Sequence, residues 1–146
     1  MAQVILPCCI NEDYMVCHIL LLQQEIHCYD PIFYLLEEKT ATPMRKEQLS
    51  ALRCLIPSML RAAGWYDASP YQGVWGARNC FKFKLGFALG DDQFIQYDNV
   101  SGGVYSCMQM ERLISGSPNS VSWASANLNW YRKKIACSIL DRCHLD

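Results

Sequence analysis

Three features of this sequence could support chemistry. The first is F-I-Q-Y-D-N-V-S-G-G-V-Y-S-C, residues 94 to 107, where a loop feeds glycines into the first turn of an apolar-periodic helix. Such a turn directs backbone N–H groups and positive dipole at whatever lies in front of it, which suits a thiolate, a phosphate or an oxyanion. The turn itself carries Ser101, Gly102 and Gly103, so it has no strong nucleophile. The second feature is the pair His18 and His27, imidazoles available for proton transfer on apolar, strand-like segments. The third is nine cysteines, an odd number with no C-x-x-C pair, which cannot all close into intramolecular disulfides. Most lie inside apolar periodic segments, where a free thiol behaves as a small hydrophobe, and a reducing compartment fits them. Metal binding and a redox role are the alternatives.

The elements that must position these residues are legible in outline. V-I-L-P-C-C-I, residues 4 to 10, reads as a strand ended by Asn11, Glu12 and Asp13; Tyr14 to Leu22 reads as a second, and E-I-H-C-Y-D as a third after a tight Gln23-Gln24 turn. Thr42-Pro43 predicts a helix start, with Leu49, Leu52, Leu55, Ile56, Met59 and Leu60 at helical spacing, Gly64 as its stop and a kink or break near residues 54 to 57 at Pro57. Trp65 to Gly76 reads as an ordered surface loop, and C-F-K-F-K-L-G-F, residues 80 to 87, as a half-exposed strand. A helix follows from the glycine turn to about Ile114, ended by G-S-P-N-S. A last helix, roughly Val121 to Leu140, turns Trp123, Leu128, Tyr131, Ile135, Ile139 and Leu140 to the core.

With 146 residues, the chain is long enough for one domain, residues 1–146, and short for two. A formal charge of −1 removes the electrostatic drive for nonspecific nucleic-acid binding. No apolar run approaches the ~18 residues of a membrane span, and the start lacks a basic segment before its apolar run, so a soluble, intracellular protein, nuclear or cytoplasmic, is expected.

The order of these pieces resembles the ubiquitin-like-protein-specific cysteine proteases, the SUMO-protease family, and most nearly its plant branch. V-I-L-P-C-C-I-N-E-D-Y-M-V-C-H-I-L-L-L is similar to the family's P-x-N-x-x-x-H-W and the apolar strand after it, and E-I-H-C-Y-D-P to its I-x-x-Y-D-S. L-I-P-S-M-L-R-A-A-G-W-Y resembles the following helix, F-I-Q-Y-D-N-V-S-G-G-V-Y-S-C resembles Q-Q-x-N-x-x-D-C-G-V-Y, and W-Y-R-K-K-I-A-C-S-I-L resembles the closing helix. The resemblance implies an α+β, papain-like or adenoviral-protease-like core, a small mostly antiparallel sheet flanked by helices. It also implies that the chain is the C-terminal part of that domain, with its N-terminal elements absent.

In that family a cysteine thiolate at a helix N-terminus attacks, a histidine carries the proton, an aspartate orients the histidine, and a glutamine donates to the oxyanion. Carried over position by position, Asp30 matches the aspartate and Gln96 the glutamine. Tyr14 stands at the histidine position, Met15 at the tryptophan that covers the channel for the substrate's diglycine tail, Gly102 at the cysteine, and Ser101 at the aspartate before it. Glycine cannot attack a carbonyl, and a phenol titrating near ~10 is a poor base at neutral pH. Losing either member of such a unit costs about 10⁶ in turnover.

Substitutes are hard to find. His18 shares a strand face with Tyr14 but lies ~13 Å further along. Cys107 lies ~7.5 Å along the helix and ~140° around from Gly102, and His27 faces away from Asp30. Ser101 has no base in view. The resemblance therefore implies a cysteine-type peptidase scaffold that is inactive, needs no cofactor or metal, and retains SUMO or another ubiquitin-like protein as its partner at most. A binding module is the alternative, with Trp65, Tyr66, Tyr71 and Trp75 as contact residues or as packing. A live peptidase using other residues is the third reading, and oligomeric state is left open.

Overall fold

A computed structural model describes residues 2–32, 38–68, 83–88, 94, 96, 98, 100–116 and 127–143. Its architecture is α+β. Strands β1 (Gln3–Ile10), β2 (Asp13–Leu20) and β3 (Glu25–Tyr29) form an antiparallel meander, and β4 (Lys84–Phe87) joins β3 in parallel, in the order β1-β2-β3-β4. The sheet is thus mixed: the chain leaves β3 and returns through helical segments before β4 pairs, as a parallel neighbour requires. Residues 80–82 of the expected strand lie outside the described residues.

The β1–β2 register pairs Ile10 with Asp13 and leaves Asn11-Glu12 as a two-residue turn. Both have positive φ, 51° and 69°, as the twist of a tight hairpin demands; Asn tolerates that conformation and Glu is strained in it. Pro7 is accommodated because β1 is an edge strand. The second turn spans residues 21 to 24, longer than the expected Gln23-Gln24 pair, with Gln24 at φ 55°.

Alternation along β2 sorts side chains onto two faces. Met15, Cys17 and Ile19 join Ile26 and Cys28 in the main core, covered by Leu49 and Ile56, with Leu52 and Leu60 packed against it. Tyr14 and Val16 lie on the other face, which α4 (Gly102–Ser115) covers. The central strand is therefore buried on both sides, and this explains why Y-M-V-C-H-I-L-L-L reads as a continuous apolar run.

The helical region departs from expectation in its boundaries. Helix α1 (Glu38–Gln48) extends N-terminal to Thr42 and holds Pro43 inside it, so Thr42-Pro43 is not the start. The break falls at Leu49, before α2 (Ser50–Ala62), and Pro57 is buried within α2 instead of interrupting it. Leu52, Ile56 and Leu60 form the inward stripe at 100° per residue; Leu55 and Met59 fall on its flank and are exposed. Gly64 stops the helical run with φ 69°, and residues 65–68 form a short helix, α3 (Trp65–Ala68), where a loop was expected. The remainder of that aromatic stretch lies outside the described residues.

A second, smaller core joins α4 to α5 (Leu128–Cys143) through Phe94, Tyr105, Met108 and Tyr131, with Leu128 and Ile135 packed against it. Gly116, at φ 64°, ends α4 by donating its N–H to the Arg112 carbonyl at 3.0 Å. Ile139 and Leu140, expected in the core, are exposed because they lie beyond that cluster; Trp123 is outside the described residues.

Candidate functional site

The positions singled out by the sequence come from four separate places: the start of β2, the end of β3, Gln96, and the first turn of α4. The Gln96 N–H donates to the Pro31 carbonyl at 3.0 Å, which fixes Gln96 beside the end of β3. Three of the positions then meet. A Cβ built on Gly102 would lie 2.9 Å from Gln96 Oε1, 3.6 Å from Tyr14 Cβ and 3.7 Å from Tyr14 Cδ2. The place at Gly102 is occupied by its neighbours and is not a vacant notch.

Gln96 is 2 % exposed and donates Nε2 to the Asp98 carbonyl. Its Oε1 has no hydrogen-bond partner among the described residues. The amide orientation is set by the bond to Asp98, because a 180° flip would place Oε1 against the Asp98 carbonyl oxygen, two acceptors face to face. The unpaired Oε1 is costly to bury, by about 1–3 kcal/mol, and persists because a side chain at position 102 is lacking.

The turn in front of α4 already holds an anion of its own. The Asp98 carboxylate accepts from the Val100 N–H at 2.9 Å, the Ser101 N–H at 2.6 Å and the Ser101 hydroxyl at 2.5 Å. Arg132 Nη2 on α5 donates to Ser101 Oγ at 2.5 Å, so a chain of bonds runs from Arg132 through Ser101 to Asp98. The Ser101 hydroxyl holds the Asp98 carboxyl below its usual range; the two backbone N–H bonds and the Arg132 charge act in the same direction, against partial burial. Ser101 does have a carboxylate beside it, contrary to expectation, but it is fully buried and its lone pair and proton are both engaged.

A folded-state pKa depressed in this way contributes stability that is present above the unfolded value near ~3.9 and is lost as pH falls through the folded value. Asp98→Ala should therefore lower stability by about 1 kcal/mol at neutral pH, as loss of a helix-start cap does. The gap from the parent, measured by urea denaturation, should close in acid.

Asp30 faces a different partner. Its Oδ2 lies 2.8 Å from Arg45 Nε, an ion pair whose atoms are close but not aligned as a hydrogen bond, and its Oδ1 accepts from the Ile32 N–H at 3.0 Å. Arg45 Nη2 bonds Asp13 at 2.6 Å and Nη1 bonds Gln48 at 2.9 Å. Both Asp30 and Arg45 are 1 % exposed. Burial raises the Asp30 pKa, opposed first by the Arg45 charge and then by the Ile32 N–H. Among the described residues no hydrogen bond joins Asp30 to Tyr14, whose side chain is on the opposite face of β2 from Met15. Met15, fully buried in the main core, lines no surface channel.

The substitutes remain apart. His18 Nε2 bonds Gln3 at 2.8 Å, and its pKa is lowered by burial and then by His27, its cross-strand neighbour. His27 Nε2 lies 3.1 Å from Glu25. Cys107 is half-buried beside Tyr131 and Ile135, and burial pushes its thiol up, which leaves it a poor nucleophile. Among the described residues no cluster of three or more His, Cys, Asp or Glu side chains could hold a metal ion.

Arg45, Asp98 and Arg132 were not singled out by the sequence. Arg45 is four residues before Leu49, on the buried face, and a charge there signals a buried carboxylate partner. Asp98, three residues before Ser101, is a turn-forming Asp at a helix entrance. Arg132 carries no local signal. Compared with protein families, curated proteins and solved structures, the chain matches none.

Proposed function

We propose that this chain is a non-catalytic relative of the ubiquitin-like-protein-specific cysteine proteases, a scaffold that retains the geometry around the nucleophile position without the chemistry. The supporting observation is convergence: positions 14, 96 and 102, assigned from separate motifs, pack against one another. At that meeting point stand a phenol, a carboxamide and a glycine, with the orienting aspartate committed to Arg45. No residue there both attacks and is activated. Among the described residues no helix is long and apolar enough to cross a membrane, and a nuclear or cytoplasmic setting accords with the SUMO-related reading.

A second reading, a binding module for a ubiquitin-like protein or an active relative, is favoured by one feature. An open groove of about 500 Å³ runs between α4 and α5, lined by Met110, Ile114, Ile135 and Ile139, with Ile114 and Ile139 well exposed. Trp65, considered above as a contact residue, packs partly against the main core.

Incubation with a vinyl-sulfone or aldehyde probe built on a ubiquitin-like protein should give no covalent adduct by mass spectrometry. An adduct at one cysteine would overturn the non-catalytic reading. Titration with labelled SUMO at low salt separates the two forms of it, since a Kd of about 1 μM or tighter, some −8 kcal/mol, needs a built interface.

A further inference from the structure

The main core contains a row of sulfurs that the proposed function does not use. Cys8 on β1, Cys17 on β2 and Cys28 on β3 point to the same face of the sheet. The Cys8 and Cys17 sulfurs are 3.7 Å apart, and so are those of Cys17 and Cys28. Because β2 lies between β1 and β3, the outer two sulfurs approach Cys17 from opposite sides. Thiol–disulfide exchange needs an attacking sulfur roughly in line with the bond it breaks, and this row supplies that order.

The two ends differ. Cys8 is partly exposed, whereas Cys17 and Cys28 are fully buried. Cys17 and Cys28 are direct register partners, so their Cα atoms stand ~4.5–5.5 Å apart, within disulfide range. Cys8 is instead opposite Met15, diagonal to Cys17. A bridge from Cys8 to Cys17 is therefore the more strained of the two.

We propose that this row is a thiol relay, which carries oxidation from the partly exposed Cys8 to a buried Cys17–Cys28 disulfide. The co-reactant is a low-molecular-weight disulfide such as oxidised glutathione. The Cys8 sulfur attacks it, a mixed disulfide forms, and one small thiol leaves with the Cys8 proton. The Cys17 sulfur attacks Cys8, the Cys8–Cys17 bond forms, and the second small thiol leaves with the Cys17 proton. The Cys28 sulfur then attacks Cys17, the Cys17–Cys28 bond forms, and Cys8 is released as a thiol with the Cys28 proton. Two protein thiols are oxidised and one small disulfide is reduced to two thiols.

The consequence is a reversible lock between β2 and β3, two residues from Met15 on one strand and two from Asp30 on the other. The exchange is slow, because hydrogen bonding and burial hold the Cys8 thiol far above its ordinary range and that of Cys17 is likewise raised. Minutes to hours is the scale of uncatalysed disulfide rearrangement.

The test is to incubate the full reduced chain, folded, with excess oxidised glutathione, block the remaining thiols, and map the cross-linked peptides over time. A Cys17–Cys28 pair with Cys8 free is the expected end product. Cys8→Ser should slow its appearance ~10-fold or more. Cys28→Ala, a second variant that leaves the first two steps intact, should accumulate the Cys8–Cys17 pair. Mixed disulfides confined to the exposed Cys9, Cys54 and Cys137, with Cys17 and Cys28 still reduced, would overturn the relay. So would an unchanged rate in Cys8→Ser, or absence of the Cys8–Cys17 pair in Cys28→Ala.

Discussion

Arg45→Met destabilises the chain by about 3–5 kcal/mol at neutral pH, because it removes one partner of a buried ion pair and leaves the other behind. Arg45 is held by Asp30, Asp13 and Gln48, and its methylene stem is as buried as its head. Methionine replaces the stem volume well, so the loss reports the charge and not a cavity. The complementary substitution, Asp30→Asn, should cost less, since Arg45 keeps Asp13 and Gln48 and a neutral amide leaves no unpaired buried charge behind. Combining Asp30→Asn with Arg45→Met should recover most of the stability lost in Arg45→Met alone.

The sign of the pH dependence follows from burial. Asp30 already titrates above its usual value in the folded chain, with desolvation the largest cause. A raised carboxyl pKa contributes stability that is present below the unfolded value near ~3.9 and is lost as pH rises through the folded value. Without Arg45 the folded value rises further. The deficit of Arg45→Met should therefore be smallest near pH 4 and widen toward neutrality, and urea denaturation at the two pH values measures it. A deficit below about 1 kcal/mol at neutral pH would mean that Asp30 reaches water or another cation.

The strands and the glycine turn were legible in the sequence because local chemistry decides them: alternation, an Asn in a hairpin turn, and an αL glycine at a helix end. The boundaries of α1 and α2 were not. Pro43 and Pro57 are strong local signals, yet both sit inside helices whose buried faces, Arg45 and Leu49 in one region and Ile56 in the other, hold them in place. Tertiary packing overrode the local preference. The candidate site divides in the same way. Tyr14, Gln96 and Gly102, grouped only through the resemblance, lie in contact, whereas no local signal named the partner of Asp30. Arg45 lies fifteen residues beyond Asp30 on another element, and a buried pair of that kind is set by the fold.

That pairing governs the second large effect. Tyr14→His, Met15→Trp and Gly102→Cys together install the residue types that the proposed reading calls for, yet the triple variant should remain at least ~10⁴-fold below an active SUMO protease in cleaving a SUMO precursor. In a serine protease, loss of the orienting carboxylate alone costs about 10⁴ in kcat, and here Asp30 is turned to Arg45. The substitutions also conflict with packing. A Cβ at position 102 meets Gln96 Oε1 at 2.9 Å, so a cysteine must push that amide out of place, and tryptophan must fit where Met15 is fully buried. Overpacking of this kind costs about 1–3 kcal/mol per site. Gly102→Cys measured alone and with Gln96→Ala separates the effects: the second change should recover stability without recovering activity. Turnover approaching that of an active SUMO protease in the triple variant would instead mean that Asp30 leaves Arg45 for residue 14, and that the proposed scaffold lacks only its side chains.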